Sequence, residues 1–243
     1  MLFWNDFTTS DIAWNIAADE GMLLACEQGL LGHGSALRIW RQRSWAVVMG
    51  ASGRYLEEVY GERCHQRGVP IARRSSGGGT VLLGPGTLCV SWVCPLAEFE
   101  VSDRGVRELQ VKLLQELSEA IREPELEVVA SGDWSIQGQK CAGSAQRRLK
   151  THVMVHASIL NQMDLSAISY FLPPPPRMPE YRANRDHGQF LRNLQMDPVV
   201  FLERLARHFP DAEEISEVPL PIKKLADELA GDRFRMAEWT TRF

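Results

Sequence analysis

The chain has 243 residues, of which 44% are hydrophobic and 24% charged, with a formal net charge of -4. This composition indicates a globular protein that buries a core without disulfides or metal ions, and it excludes a general nucleic-acid-binding protein, which needs an excess of Lys and Arg. The acidic N-terminus is not typical of a secretory signal, and no apolar run approaches the ~18 residues of a membrane span.

The first hundred residues predict helices mixed with short strands. The segment "TTSDIAWNIAADEGMLLACEQG" predicts a helix capped by Ser10 or Asp11, because its apolar residues recur at helical spacing and Gly29 follows. The segments after it are predicted as two short strands around a polar turn ("LRIWRQRSWAVVMG"), a second helix ("LEEVYGERCHQRG"), a short strand ("VPIARR") and a buried strand ("TLCVSWVCPL").

The second half continues the mixture. Residues 101–122 form the clearest amphipathic helix, with apolar residues three or four apart at Val106, Leu109, Leu113, Leu117 and Ile121. Next come a predicted strand–turn–strand ("LEVVASGDWSIQGQKCAGSAQRR"), a strand ("THVMVHASIL"), an extended proline-rich surface connection ("PPPPRMPEYRANRDHG") and two helices ("PVVFLERLARHF", "IKKLADELA"). Because strands and helices do not alternate regularly, we expect an α+β fold with a mixed, largely antiparallel sheet.

The stretch "RRSSGGGTVLLGPGTL" puts two arginines beside three consecutive glycines. Glycine lets a backbone turn sharply or approach a ligand, and its exposed N–H groups can hold an anion or a carbonyl oxygen. The standard phosphate-binding motifs do not fit, since position 82 is Leu and no Walker-type lysine follows. Either a ligand-binding loop beside Arg73 and Arg74 or a glycine-rich hairpin explains the stretch.

A second cluster lies in "GDWSIQGQKCAGSAQRR". Gly138 predicts a tight turn between strands, and Lys140 begins the outgoing strand. Small residues follow it at Gly143, Ser144 and Ala145. Lys140 therefore either projects into an open pocket or is simply solvated.

These clusters together resemble the lipoate-protein ligase and octanoyltransferase family, relatives of the biotin-protein ligases. The segments "NIAADEGML", "RIWRQRSWAVVMG", "RRSSGGGTV", "KCAGSAQRR" and "VHASIL" occur here in the family's order, across most of residues 10 to 195. The resemblance implies a mixed sheet backed by helices. It also implies a reaction in which ATP and a medium-chain acid form an acyl adenylate, whose acyl group then passes to a lysine of a carrier domain.

The resemblance carries specific residues over. Lys140 matches the lysine that contacts the acyl carbonyl and the phosphate, and Asp133 matches the acidic position before it. The remaining expected binding residues are Arg73, Arg74, Ser76, Gly77, Gly78, Gly79, Gly143, Ser144, Ala145 and His156. We expect Arg73 and Arg74 to divide between the adenylate and a structural ion pair, and His156 to be a base or a core residue. ATP and lipoate are the implied substrates, with Mg²⁺ accompanying ATP, and no metal site is expected from the cysteines.

The acyl tail requires an apolar tunnel. Trp92, Val90 and Val155 are candidates to line it, the alternative being that they belong to the core. Amine attack on an activated ester needs positioning and charge stabilisation rather than a protein nucleophile.

Two departures from the family pattern leave the reaction open. Many family ligases carry a His-Asp pair where this chain has Leu83-Gly84, and "GPGTL" is closer to octanoyltransferases, which use a cysteine nucleophile. Of the five cysteines, Cys141 is adjacent to Lys140, but neighbours on a strand face opposite sides, so we expect Cys141 to be a buried apolar residue.

The leading expectation is an ATP-dependent lipoate-protein ligase. The alternatives are an acyl-carrier-protein-dependent octanoyl or lipoyl transferase, a non-catalytic lipoate-binding module, and a biotin-ligase-like role. We expect a single cytoplasmic domain over residues 1–243, helical from about 197, with no C-terminal accessory domain. Its absence implies either that a separate accessory subunit supplies that function, or that the protein receives an activated acyl group or one bound to an acyl carrier protein. We expect the partner to be an apo lipoyl carrier domain, and we expect no nucleic-acid or membrane partner. The basic run "QRRLK" either attracts an acidic carrier domain by its charge or is a solvated turn.

Overall fold

The computed structural model describes residues 1–5, 8–100 and 105–243. Its strands are β1 (Leu2–Asn5), β2 (Ala36–Arg41), β3 (Ala46–Met49), β4 (Ile71–Arg73), β5 (Val81–Leu83), β6 (Thr87–Pro95), β7 (Leu126–Val129), β8 (Asp133–Ile136), β9 (Gln139–Arg148), β10 (His152–Leu160) and β11 (Glu213–Ile215). Its helices are α1 (Ile12–Glu27), α2 (Tyr55–Glu58), α3 (Gly61–Gln66), α4 (Val106–Ile121), α5 (Ser166–Phe171), α6 (His187–Phe190), α7 (Pro198–His208), α8 (Leu220–Leu229) and α9 (Ala237–Thr240). Within these ranges, no helix has the length and apolar character needed to span a membrane.

The strands form two sheets. The larger one has the strand order β11-β1-β2-β6-β10-β9-β8-β7, and the smaller one has the order β4-β3-β5. In the larger sheet β1 runs parallel to β2 and β11, whereas the other pairs are antiparallel. This largely antiparallel sheet backed by helices confirms the predicted α+β class.

The two faces of the larger sheet have different roles. Because side chains alternate along a strand, Val90 and Trp92 of β6 and Val155 of β10 point to one face, where they pack with the buried leucines of α4. The alternative that these three residues line an acyl tunnel is therefore wrong, and the alternative that they belong to the core is confirmed. The opposite face packs against α1.

Helix α1 forms as predicted and is capped by Asp11, whose Oδ1 accepts a hydrogen bond of 2.9 Å from the backbone N–H of Ala13. The helix is buried on nearly all sides, since the sheet lies on one side and α8 packs on the other. Residues of α1 that face the sheet consequently lie deep in the molecule.

Several predicted segments differ in the structure. The predicted strand–turn–strand "LEVVASGDWSIQGQKCAGSAQRR" forms three strands, β7, β8 and β9, because a further turn at 130–132, with Gly132 at positive φ, separates β7 from β8. The predicted helix over 101–122 is α4 from Val106, which is 62% exposed and outside the buried face, and residues 101–104 lie outside the described ranges. The predicted single helix "LEEVYGERCHQRG" is split into α2 and α3, because Val59 is extended. The two strands of "LRIWRQRSWAVVMG" join different sheets, β2 the larger and β3 the smaller.

Candidate active site

A cavity of about 830 Å³ lies between the α1 face of the larger sheet and the smaller sheet. Its floor comes from β6 and β10, one wall comes from β5 and the triglycine loop (Ser76–Gly79), and the far wall comes from the proline-rich segment 173–179 with α6. That segment lies partly at the surface, as predicted, but its inner side lines the cavity, which the sequence did not predict.

The triglycine loop is packed tightly on its inner side and open on its outer side. Gly78 has a φ of +87°, which favours glycine, and a Cβ at Gly50 would lie 2.0 Å from the carbonyl oxygen of Gly78. A Cβ at Gly77 or Gly79 would meet nothing within 4 Å. The loop therefore needs glycine for its turn and its close approach to Gly50, and it keeps free space where it faces outwards. Ser76, Gly78 and Gly79 line the cavity.

Arg74 organises this loop. Its Nη2 donates to the carbonyl oxygens of Gly77 at 2.6 Å and Gly79 at 2.9 Å, and its Nε donates to Ser76 Oγ at 3.0 Å. Because a trans peptide places C=O and N–H on opposite sides, the N–H of the residue after each glycine carbonyl points away from the guanidinium. Burial lowers the pKa of Arg74 to about 10, so the side chain remains a cation in the cavity wall.

Arg73 lies on the other side of the loop, outside the cavity lining. Its guanidinium donates to the backbone carbonyls of Gly53 at 2.6 Å and Thr240 at 2.7 Å, and also to that of Gly50. The expected structural ion pair is replaced by bonds to main-chain carbonyls, because alternation along β4 turns the side chain towards the C-terminal α9. The structure thus separates Arg73 from Arg74.

Lys140 reaches the cavity through an irregularity in its strand. Asp133 and Ser135 of β8 lie on the same face of the sheet. Asp133 pairs with Gly143 and Ser135 pairs with Lys140, so β9 has one more residue than β8 between these two pairs. The extra residue of this β-bulge puts Lys140 on the same face as Gly143. In a regular strand Lys140 would instead share the α4 face.

The ammonium group of Lys140 is held by Asp133. Nζ lies 2.8 Å from Asp133 Oδ1, and the lysine side chain is 27% exposed. Asp133 Oδ2 accepts hydrogen bonds from Tyr181 at 2.9 Å and from Ser131 at 3.0 Å. A Cβ at Gly143 would lie 2.9 Å from Nζ, so this glycine leaves the space that the ammonium group occupies.

The other expected site residues lie beside Lys140 with distinct contacts. Ser144 Oγ bonds to the carbonyl oxygen of Gly132 and accepts from Gln110 Nε2 at 2.5 Å, so its hydroxyl is engaged towards α4. Ala145 pairs with His156 across β9 and β10, and both line the cavity.

His156 connects the sheet to the triglycine loop. Its Nε2 lies 2.6 Å from Ser76 Oγ. Burial, with a further contribution from the nearby Arg74 charge, lowers the pKa of His156 to about 3. The imidazole is neutral at physiological pH, so it can position Ser76 or accept a proton only weakly.

All five cysteines are unpaired and buried. Cys141 is fully buried against the α4 layer, which confirms the prediction, and burial raises the pKa of its thiol to about 12. Burial also raises the thiol pKa values of the others, namely Cys26, Cys64, Cys89 and Cys94. None of these thiols is activated as a nucleophile in this arrangement.

Sequence reasoning missed two contributors to the site. Tyr181 follows the proline-rich segment and donates to Asp133, and burial raises the pKa of its phenol, so it stays protonated. Glu58 accepts from Thr80 Oγ1 at 2.6 Å and ties α2 to the end of the triglycine loop. Both contacts join segments far apart in the chain, and no local pattern signals them.

The basic run "QRRLK" extends from the same strand as Lys140, and its Arg147 donates to the carbonyl oxygen of Ser75 at 3.3 Å.

Residues 11–209 match the lipoyl protein ligase A/B catalytic domain family. A probable lipoate-protein ligase A of Mycoplasma pneumoniae is 22% identical over 233 residues, covering 93% of this chain and 67% of the relative. The octanoyltransferase LipM of Exiguobacterium sibiricum is 26% identical over 274 residues, covering 97% of both chains.

Among solved structures, one described as a bi-partite lipoate protein ligase and its E2 lipoyl domain from Thermoplasma acidophilum superposes with a TM-score of 0.79 at 22% identity, covering 99% of this chain and 96% of that one. A lipoate-protein ligase A bound with ATP superposes with a TM-score of 0.73 at 20% identity, covering 99% of both chains. At these identities the superpositions show a shared fold.

Proposed function

The chain belongs to the lipoyl protein ligase A/B catalytic domain family, and from this premise we propose that it is an ATP-dependent lipoate-protein ligase. In this proposal it forms or uses lipoyl-AMP and transfers the lipoyl or octanoyl group to a lysine of an apo carrier domain. At the level of the family its function is that of lipoate-protein ligases and octanoyltransferases, enzymes of lipoate attachment.

One observation carries the proposal: Lys140 and the triglycine loop line the same cavity. Apolar side chains such as Trp40, Val81 and Met154 line this cavity as well. A cationic ammonium and a glycine loop beside a cationic arginine suit an acyl phosphate anion, and the apolar part of the lining suits its medium-chain tail.

The proposed reaction has two steps, formation of the acyl adenylate and transfer of the acyl group. A carboxylate oxygen of the acid bonds to the α-phosphorus of ATP, and pyrophosphate leaves. The amine of the carrier lysine next attacks the acyl carbonyl carbon, AMP leaves with the electrons of the C–O bond, and the nitrogen loses a proton. Lys140 stabilises the carbonyl oxygen that becomes negative during this attack, a contribution of about 3 kcal/mol for a single well-placed donor.

The cysteines favour this route over thioester transfer from an acyl carrier protein. Cys141 is the thiol adjacent to Lys140, and it is buried towards the opposite face with a raised pKa. The similarity to an octanoyltransferase over 97% of the chain supports carrier-dependent transfer as a second candidate. The variant Cys141→Ser distinguishes the two routes. The ligase route predicts unchanged turnover, whereas a thioester route through Cys141 predicts a loss of turnover.

ATP, lipoate and a carrier domain are proposed as the substrates. The ATP-bound neighbour and the neighbour described with its lipoyl domain support them. Mg²⁺ would be held mainly by the ATP phosphates, since no three His, Cys, Asp or Glu side chains cluster as a metal site within the described ranges. We also assign the reaction to the cytoplasm, where unpaired cysteines remain reduced.

The test incubates the protein with an apo lipoyl domain and one donor: lipoate plus ATP, preformed lipoyl-AMP, or octanoyl-acyl carrier protein. Mass spectrometry of the carrier then reports transfer. Transfer from lipoate plus ATP supports the ligase, and transfer from lipoyl-AMP alone supports a ligase that needs an accessory subunit. Transfer only from the acyl carrier protein overturns the proposal.

Two lysine variants make the test specific. Lys140→Ala removes the ammonium group from the cavity and should abolish transfer from lipoyl-AMP. The matched control Lys223→Ala changes an exposed lysine on α8 and should retain transfer. If Lys140→Ala transfers at the wild-type rate, the assigned role of the cavity is wrong.

A further inference from the structure

The segment 237–243, which begins with α9, packs against the loop that joins β3 to α2 (residues 50–54, the β3–α2 loop). Arg242 Nη2 donates to the carbonyl oxygen of Ala51 at 2.5 Å. The guanidinium of Arg242 also lies over the ring of Trp239, 3.8 Å from its centroid, so the arginine is held between its own segment and the loop. The segment itself lies outside the cavity lining.

Arg73 joins the same segment to the same loop. The indole N–H of Trp239 donates to the carbonyl oxygen of Arg73 at 2.7 Å. Hydrogen bonds from a cation are roughly twice as strong as neutral ones, so the bonds of the Arg73 guanidinium make this junction firm. They go to backbone carbonyl oxygens on both sides, namely Trp239 and Thr240 in the segment and Gly50, Ala51 and Gly53 in the loop.

The β3–α2 loop lies between this segment and the triglycine loop. The backbone N–H of Ala51 donates to the carbonyl oxygen of Ser76 at 2.8 Å. Gly50 approaches the triglycine loop so closely that a Cβ there would lie 2.0 Å from the carbonyl oxygen of Gly78. The loop also reaches the cavity, which is lined by Ser52, Gly53 and Arg54.

The β3–α2 loop has little of its own to fix its shape. Its sequence is Gly-Ala-Ser-Gly-Arg, and Ser52 and Arg54 are exposed. A loop with two glycines and no apolar side chain larger than alanine buries little surface, so its conformation depends on contacts from outside. The contacts from Arg73 and from the segment 237–243 supply this support.

Resting on the proposed function, we propose that the segment 237–243 is a positioning strap: it holds the β3–α2 loop against the triglycine loop and so sets the shape in which the triglycine loop binds the acyl phosphate. Arg242 and Trp239 are its positioning residues. When the strap is loosened, Ala51 withdraws from Ser76 and the triglycine loop spends part of its time in other conformations. The apparent affinity for the ligand then falls in proportion to the competent fraction, whereas the bound enzyme reacts normally.

The kinetic test uses two variants that each remove one contact of the strap, Arg242→Ala and Trp239→Phe. The assay measures transfer from preformed lipoyl-AMP to an apo lipoyl domain. We expect each variant to raise KM for lipoyl-AMP about fivefold and to leave kcat within about twofold, a size typical of contacts that act on a site from outside. A merely structural role would lower the amount of active protein, and therefore kcat, at an unchanged KM.

Hydrogen exchange followed by mass spectrometry tests the strap without any ligand. The amides of Ala51 and of the triglycine loop should exchange faster in both variants than in the wild type, because these amides are exposed when the loops separate. Arg242→Lys retains a donor for the carbonyl oxygen of Ala51, so it should restore part of the wild-type exchange and KM.

Matched controls remove the same residue types from other contacts. Arg235→Ala removes an arginine that pairs with Asp11 at 2.7 Å, and Trp14→Phe removes an indole N–H that bonds to Asp227 at 2.8 Å. Neither control should change KM or the exchange of the triglycine loop. Unfolding of all variants in urea shows whether the fold is retained.

The outcomes distinguish the strap from the ligase proposal. A higher KM at near-normal kcat, with faster exchange in the triglycine loop, supports the strap. Unchanged KM and exchange, or a kcat that falls with stability at constant KM, overturns the strap and leaves the ligase proposal standing. A wild-type protein that transfers from no donor overturns the ligase proposal, and the exchange of the triglycine loop alone then supports or overturns the strap.

Discussion

Replacing Gly143 by Ala should separate activity from stability, because the added methyl group meets only the end of the Lys140 side chain. The Cβ would lie 2.9 Å from Lys140 Nζ and 3.0 Å from Cε, with Asp133 Oδ1 next at 3.7 Å. Favourable contacts begin at about 3.5–4.0 Å, so Nζ must withdraw by roughly 0.6–1.1 Å. A misplacement of about 1 Å in a reacting group can cost on the order of 100-fold in rate.

The stability effect should be small. A lysine side chain is flexible, so the collision is relieved without moving the backbone, and replacing a strand glycine by alanine favours folding by about 0.5–1 kcal/mol. Loosening the bond between Lys140 and Asp133 offsets a comparable amount, since the lysine is partly solvated. We expect the free energy of unfolding to change by less than about 1 kcal/mol while transfer falls between about 10- and 100-fold.

The assay is single-turnover transfer of the acyl group from preformed lipoyl-AMP to an apo carrier domain, with unfolding in urea measured on the same samples. Gly231→Ala is the matched control, because a Cβ there would meet nothing within 4 Å. A Gly143→Ala protein that transfers within twofold of the wild-type rate would refute the geometric reasoning. A loss of activity that only follows a loss of fold would refute it as well.

Three further predictions concern the supports of the site. Tyr181→Phe removes the phenol that donates to Asp133 and should lower kcat several-fold with little change in KM for the acid, as measured by steady-state kinetics. Arg73→Gln leaves main-chain carbonyls without their donor and should lower the free energy of unfolding in urea by about 2–4 kcal/mol. His156 has a folded pKa of about 3, below its unfolded value of about 6.5, so the unfolded state binds the extra proton and stability falls as pH drops from about 6.5 towards 3. His156→Gln should flatten urea-unfolding stability across that range, where the wild type loses up to about 1.4 kcal/mol per pH unit.

The elements that sequence predicted well are those whose signal is local. Helix α1 carries its own cap at Asp11, and β6 is a mostly apolar run that is buried along nearly its whole length. The turn at Gly138 is equally local, with Gln137 and Gly138 both at positive φ between β8 and β9. In each case the residues that decide the structure are neighbours in the chain.

The features that sequence did not resolve depend on long-range packing. Arg73 and Arg74 are adjacent and chemically identical, yet one binds carbonyls near the C-terminus and the other binds the triglycine loop. The course of β4 and the packing of α9 determine which arginine binds the carbonyls near the C-terminus and which binds the triglycine loop. The proline-rich segment likewise reads as a surface connection, and its contact with the site through Tyr181 depends on where the chain returns.

The positions of Lys140 and Gly143 show how a local feature of one strand determines which side chains reach the cavity. Residues three apart on a regular strand face opposite sides, so a glycine at position 143 would have no bearing on a lysine at position 140. With the bulge between them, the two residues share a face, and the ammonium group occupies the space that a Cβ at Gly143 would fill. In this chain the bulge, and not the spacing alone, turns Lys140 away from α4 and into the cavity, and Gly143 leaves the room that the lysine then needs.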